Sequence, residues 1–142
     1  MQFLGAPYPI VKNPRGFLAT QTGLNQIKSD LLSLLLTNPG ERVMLPDYGI
    51  PLKKIIFEPN DPTTLSRVRE MIITAIKMWE PRIVVEQIEV SSGIEESSLN
   101  SSDLKQDLQH ILSIRIIFYD PEEIRELQEL RLEVPLSSEG AK

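Results

Sequence analysis

Two segments of the chain repeat apolar residues at helical spacing. In the first, apolar residues recur every three or four positions from Leu24 to Leu35, which predicts a helix that begins near Thr20 or Thr22. We expect this helix to end before Asn38. The next two residues, Pro39-Gly40, suit the centre of a type II turn, because proline presets the first backbone angle and glycine accepts the positive one.

The second helical segment has a clear start and a clear stop. Asp61 is a typical N-cap residue, and Pro62 fits the first helical position because its missing amide donor costs nothing there. An apolar stripe then follows one face as far as Trp79. Since Pro81 disfavours helical geometry at Glu80, the pattern predicts a helix from about Pro62 to Trp79.

Three later segments favour β-strands. Ile83 to Val90 is rich in β-branched residues, although its alternation is imperfect. From His110 to Phe118 every second side chain shares one face, and this long strand is expected at the centre of a sheet. Apolar residues also alternate from Leu130 to Leu136, which predicts a last strand at an edge.

The other segments lack periodicity. Residues 1–20 carry three prolines and two glycines and should be extended or turned. Residues 41–59 should form a structured loop with a short helix from Leu52 to Phe57. The serine-rich residues 91–107 are expected to be a long loop, and residues 137–142 a frayed tail.

The order of these elements predicts an α+β fold. Because the strands follow one another late in the chain, we expect a mainly antiparallel sheet of three or more strands, with the two main helices packed on one face. At 142 residues the chain fits one domain.

Composition and charge exclude several classes of function. The net charge is −5 and the pI is near 4.9, so the chain as a whole has no electrostatic attraction for nucleic acid phosphates or for an anionic membrane surface. The chain has no cysteine and one histidine, His110, which rules out thiol chemistry and clusters of histidine ligands. No phosphate-binding glycine loop is present. We therefore expect no cofactor, no metal, no nucleic acid partner and no membrane partner.

Acidic residues leave one enzymatic alternative open. Glu41, Asp47, Glu58 and Glu80 lie in or beside irregular segments. A glycoside hydrolase would need two such carboxylates facing each other at about 5 to 10 Å, one of them with a raised pKa. The simpler interpretation is that Glu41 pairs with Arg42 or another base and that Glu80 braces a junction.

Four short segments carry a resemblance to a known family. They read LTNPGER at residues 36–42, MLPDYGI at 44–50, FE at 57–58 and WEPR at 79–82. In this order and spacing they resemble the baseplate wedge and sheath-initiator family of contractile-tailed phages, a lysozyme-like baseplate protein family also found in type VI secretion baseplates. The match runs from about Tyr8 to Val90.

This resemblance implies a structural role and a set of partner-binding residues. It implies that Glu80, Pro81 and Arg82 contact the central bundle that joins wedge proteins. It also implies that the first sheath ring adds strands to an exposed β-edge. Two further groups of candidates are five residues of the loop that carries the first two motifs (Gly40, Glu41, Arg42, Pro46 and Asp47) and three residues of the edge strand (Leu130, Leu132 and Val134). Tyr8 to Val11 is a second possible edge.

The expected partners are therefore other wedge proteins, the tail sheath protein, and tube or hub proteins. The expected location is the baseplate of a virion assembled in the host cytoplasm. Two alternatives stay open: a peptidoglycan hydrolase of the baseplate, and a type VI secretion component. From the residues alone, Glu80 and Arg82 either project from the bend set by Pro81 or pair with each other inside the domain, and the resemblance favours projection towards a partner.

Overall fold

The computed structural model describes residues 4–55, 58, 61–92, 111–121 and 126–135, and its helices and strands follow the predicted order. The helices are α1 (Gly23–Leu36), α2 (Leu52–Ile55) and α3 (Pro62–Trp79), and the strands are β1 (Val84–Ser92), β2 (Ile111–Tyr119) and β3 (Gln128–Pro135). The α+β class is confirmed. No helix in these ranges is long and apolar enough to cross a membrane.

The ends of α3 lie where the sequence predicts them. The Asp61 carboxylate accepts a hydrogen bond from the Thr64 amide at 2.7 Å, and Pro62 occupies the first turn. This contact satisfies one of the amides that a helix start leaves without a partner. At the other end the Glu80 amide donates to the Ile76 carbonyl at 2.8 Å, and Pro81 follows.

The three strands form one antiparallel sheet in the order β1-β2-β3. Ile114 in β2 lies opposite Val90 on one side and Leu132 on the other, so the prediction of a central second strand is confirmed. A bulge between Val85 and Gln87 shifts the register of β1. Because a bulge puts one extra residue into a strand, it explains the imperfect alternation of this segment.

One face of the sheet packs against the helices. Alternate β2 residues from Leu112 to Phe118 are buried and belong to the same apolar cluster as Leu31 of α1 and Ile72 of α3. The opposite face is polar: Arg115 forms ion pairs with Glu129 at 2.8 Å and Glu89 at 3.2 Å.

Two boundary predictions need correction. Ser91 and Ser92 belong to β1 and pair with β2, so the strand continues into the segment predicted as loop. Tyr8 to Val11 is not an edge of the sheet. It lies in a separate hairpin that we call the amino-terminal arm (residues 4–21), in which the Ala19 amide donates to the Val11 carbonyl at 2.9 Å.

Some predictions fall on residues outside the described ranges. They are the end of the short helix at Phe57, the rest of the serine-rich loop (93–107), His110, Leu136 and the tail (137–142).

Candidate functional site

The Glu80–Arg82 corner connects α3 to β1 and is held by ion pairs inside the domain. Arg82 donates from Nε and Nη2 to the two oxygens of the Glu80 carboxylate, both at 2.5 Å, and from Nη2 to Asp30 Oδ2 at 2.6 Å. Glu80 is only 4% exposed. The prediction that Glu80 projects from the bend is therefore wrong, and the alternative of pairing within the domain is correct.

These contacts stabilise the charged form of Arg82. The hydrogen bonds that Arg82 donates to Glu80, and secondarily to Asp30, raise the pKa of Arg82 above its ordinary value against the opposing effect of partial burial. Its guanidinium fork meets one carboxylate in a bidentate arrangement, which sets direction as well as charge. The corner is consequently a rigid element.

Asp30 ties this corner to α1 and is a residue that sequence reasoning missed. Its second oxygen, Oδ1, accepts a hydrogen bond from Gln26 Nε2 at 2.7 Å. Asp30 and Arg82 are 52 positions apart, so no local pattern in the sequence could have indicated the pair. Gln26 is itself 5% exposed, and its Oε1 has no hydrogen-bond partner among the described residues.

The motif loop (residues 38–50) begins with the turn that the sequence predicts. The Glu41 amide donates to the Asn38 carbonyl at 3.1 Å, and Gly40 has φ +91°, as the third position of a type II turn requires. The Gly40 amide also donates to the Pro46 carbonyl at 2.7 Å, which closes the loop on itself.

Glu41 braces the start of the motif loop. Its carboxylate accepts from the Asn38 amide at 3.1 Å, from Asn38 Nδ2 at 2.8 Å and from Lys53 Nζ at 3.1 Å. The Asn38 hydrogen bonds, followed by that of Lys53, lower the pKa of Glu41 to about 2. The predicted pairing with a base is thus confirmed, with Lys53 rather than Arg42 as the base.

Arg42 links the motif loop to the corner through aromatic rings. Its guanidinium carbon lies 3.8 Å from the centre of the Tyr48 ring, and its Nη2 donates to Ser33 Oγ at 2.9 Å. Tyr48 in turn meets Trp79 edge-on, with ring centres 5.3 Å apart. Cation–π and edge-to-face contacts of this kind are each stabilising.

Gly49 ends the motif loop against the end of α1. It has φ +112°, and a Cβ placed there would lie 2.1 Å from the Thr37 carbonyl oxygen. The Ile50 amide donates to the same oxygen at 2.9 Å. Only glycine fits this close approach.

Two motifs that lie far apart in the sequence therefore form one surface. Residues of α1, the motif loop and the corner line an open groove of about 530 Å³, which we call the motif groove. Its charged and aromatic lining residues are Asp30, Arg42, Tyr48, Trp79, Glu80 and Arg82.

The profile of a family described as "Baseplate wedge protein gp25" matches residues 21–119, and this range contains the motif loop and the corner. The chain belongs to this family. Membership makes it a component of a tail baseplate.

Two relatives share recognisable sequence with this family member. Baseplate wedge protein gp25 of Enterobacteria phage T4 is 29% identical over 107 residues, which cover 75% of the chain and 73% of the relative. Baseplate protein W of Escherichia phage P2 is 32% identical over 69 residues, which cover 49% of the chain and 60% of the relative.

Solved structures share the fold at lower identity. A candidate tail lysozyme from Geobacter sulfurreducens has a TM-score of 0.63 at 23% identity, covering 81% of the chain and 92% of that structure. A chain of the anti-feeding prophage baseplate has a TM-score of 0.61 at 17% identity, covering 97% and 89% respectively. A chain of the pyocin R2 baseplate after contraction has a TM-score of 0.51 at 21% identity, covering 89% and 97%.

In this baseplate wedge family member, the candidate edge strand β3 packs inward through its apolar side chains. Leu130 is buried, and Leu132 and Val134 are partly buried against the core. Their side chains therefore hold the strand in place. The outer edge of β3 exposes its backbone, because within the described ranges the strand is paired with β2 on one side only.

The candidate catalytic acids occupy separate ion pairs or the surface. Glu58 pairs with Arg67, both Glu80 oxygens are taken by Arg82, and Asp47 is exposed. The low pKa of Glu41 is opposite to what a general acid needs. Among the described residues no group of three acidic or histidine side chains could hold a metal ion.

Proposed function

We propose that the protein is a non-enzymatic structural subunit of a contractile-tail baseplate that joins wedge proteins and templates the first ring of the tail sheath. The observation that carries the proposal is the open edge of β3 (Gln128–Pro135), an eight-residue strand paired on one side only within the described sheet. An open edge presents unpaired amides and carbonyls, which an added strand can bind.

The side chains of β3 suit controlled strand addition. Exposed charged residues, Glu129, Arg131 and Glu133, alternate with the apolar residues that face the core. Arg115 and Arg131 both donate to Glu129, so a network of charges lies along the outer face. Charges near an edge disfavour indiscriminate pairing and penalise a shifted register, as a template for a single partner requires.

The motif groove is the proposed surface for wedge proteins. Arg82 and Arg42 line it from opposite motifs, and each is oriented by contacts inside the domain. A partner that docks here meets charges and rings that lose little freedom on binding. Pro46 and Asp47 lie exposed in the motif loop and are further contact candidates.

A pair of proline variants tests strand addition. Amides of successive residues in an edge strand point alternately towards the neighbouring strand and away from it. Of Arg131→Pro and Leu132→Pro, one should therefore break a hydrogen bond to β2 and lower the melting temperature. The other should remove only an outward donor, so it should melt at the same temperature as the alanine variant of that position, which accounts for the apolar side chain lost at Leu132.

We expect the proline variant that melts at the temperature of its alanine variant to yield tails without sheath, counted by electron microscopy of purified particles. Alanine at the same position is the matched control, because it removes the side chain but keeps the amide, and it should give sheathed tails. Normally sheathed tails from the stable proline variant would overturn the strand-addition proposal.

Hydrolysis of peptidoglycan is the second candidate, favoured by the likeness to the candidate tail lysozyme. A turbidity assay with purified protein and isolated cell walls separates the two functions. The structural proposal predicts no clearing. Clearing that is lost in Asp47→Asn, or in Glu80→Gln while circular dichroism shows that variant to be folded, would establish the enzyme instead.

A further inference from the structure

The most exposed large apolar side chains of the described chain are neighbours in the middle of the motif loop. Val43 is 93% exposed and Met44 is 89% exposed, and we call these two residues the apolar tip. Met44 begins the second motif, MLPDYGI, whereas Val43 lies between two motifs and was not a candidate from the sequence. Leu45 follows and is 43% exposed.

The apolar tip is carried on a rigid support. The Leu45 amide donates to the Arg42 carbonyl at 3.3 Å, which turns the chain around the tip, and the Tyr48 amide donates to the Leu45 carbonyl at 3.1 Å. Two contacts join the segment before the tip to the segment after it. Arg42 is stacked on Tyr48, and the Gly40 amide donates a hydrogen bond to the Pro46 carbonyl. The motif residues therefore brace a loop in which Val43 and Met44 do not pack against the core.

Charge points to the chemistry of the partner. Residues 43–46 are valine, methionine, leucine and proline, with no charge. The charges that precede the tip are engaged, since Glu41 pairs with Lys53 and Arg42 stacks on Tyr48, and the exposed Asp47 follows Pro46. A neutral apolar projection complements an uncharged apolar pocket, and it offers nothing to phosphates or to an acidic surface.

Size and position point to another protein rather than a second copy. Two side chains from each copy cover far less than the roughly 1,200 Å² of a stable interface, so contact between two tips would not hold a dimer. The tip does directly follow Arg42, which lines the motif groove. It is therefore continuous with the surface proposed for wedge proteins and suits an anchor at one end of that contact.

We propose that Val43 and Met44 insert into an apolar pocket of a neighbouring baseplate wedge protein and anchor this chain in the wedge. The inference rests on the proposed structural function. The unbranched thioether of Met44 adapts to an irregular pocket, and the braced loop presents it with little entropy left to lose.

Methionine oxidation measures the burial of Met44 directly. Purified tail particles and the isolated chain are treated with the same dose of hydrogen peroxide, and sulfoxide is quantified by peptide mass spectrometry. Insertion should slow oxidation of Met44 in particles about tenfold, because interface cores pack like protein interiors. Met78, which is 65% exposed on α3, provides an internal comparison within the same particles.

The outcomes separate this inference from the proposed function. If the chain is absent from purified particles, the proposed structural function and the proposed anchor are both wrong. If it is present and Met44 is oxidised as fast as in the isolated chain, the anchor is wrong while the structural function stands. Protection of Met44 in the isolated chain at high concentration would instead assign the tip to self-association and overturn the proposal.

A double variant tests the consequence of anchoring. Val43→Ser with Met44→Ser should keep the melting temperature, because both side chains are almost fully exposed, yet lower incorporation into particles about tenfold. Ile10→Ser is the matched control, since Ile10 is a 70% exposed apolar residue on the amino-terminal arm, and it should incorporate normally. Normal incorporation of the double variant would overturn the proposal.

Discussion

Replacing Arg82 with alanine should destabilise the isolated domain, because it leaves a buried carboxylate without its cation. The Glu80 side chain is 5% exposed, and both of its oxygens accept from Arg82. Asp30 loses a partner too, but its side chain is 37% exposed and can be hydrated. The main cost therefore comes from Glu80.

The magnitude follows from this burial. Removing one partner of a buried ion pair costs about 3 to 5 kcal/mol, since the remaining charge is neither paired nor hydrated. For a chain of this length such a loss lowers the melting temperature on the order of 10 °C. Glu80→Gln should cost less, because Arg82 keeps its ion pair with Asp30 and is itself partly exposed.

A double-mutant cycle in urea isolates the interaction. Free energies of unfolding are measured for the parent chain, Arg82→Ala, Glu80→Gln and the combined variant. We expect the combined variant to be more stable than Arg82→Ala alone, with a coupling energy of about 2 kcal/mol. A coupling below about 0.5 kcal/mol, the range of exposed pairs, would refute the claim that Glu80 is held as a buried partner of Arg82.

Two further predictions concern the motif loop. In the folded chain the pKa of Glu41 is about 2, below the ordinary 4.5. Ionised Glu41 therefore stabilises the fold above about pH 4.5, and this contribution is lost as the pH falls towards 2. The stability difference between the parent chain and Glu41→Gln should therefore shrink over that range in urea titrations, and a constant difference would contradict the assignment. Gly40→Ala should cost about 1 kcal/mol from its positive φ alone. Gly49→Ala should cost about 2 kcal/mol more, because its Cβ would also meet the Thr37 carbonyl; equal losses would contradict this reason.

The elements of the fold were predictable where a local rule decides them. Asp61 and Pro62 set the start of α3, Pro81 sets its end, and strict alternation identifies β2. The bulge in β1 could not be placed, because an extra residue in a strand leaves only a break in periodicity. The end of β1 was missed for another reason. Ser91 and Ser92 have low strand propensity, and their pairing with β2 overrides it.

The site was harder to predict than the fold, because a motif indicates which residues are required but not whether they face inward or outward. Glu80 is required as the buried partner of Arg82, and Gly49 for its approach to Thr37, so both act inside the domain. Variants at such positions lose assembly through lost stability, whatever they contact. Val43 and Met44 are almost fully exposed, so variants there should leave the fold intact and report on the proposed interface alone. The strongest test of the proposed contact therefore lies in these two exposed residues and not in the motif residues that the fold itself needs.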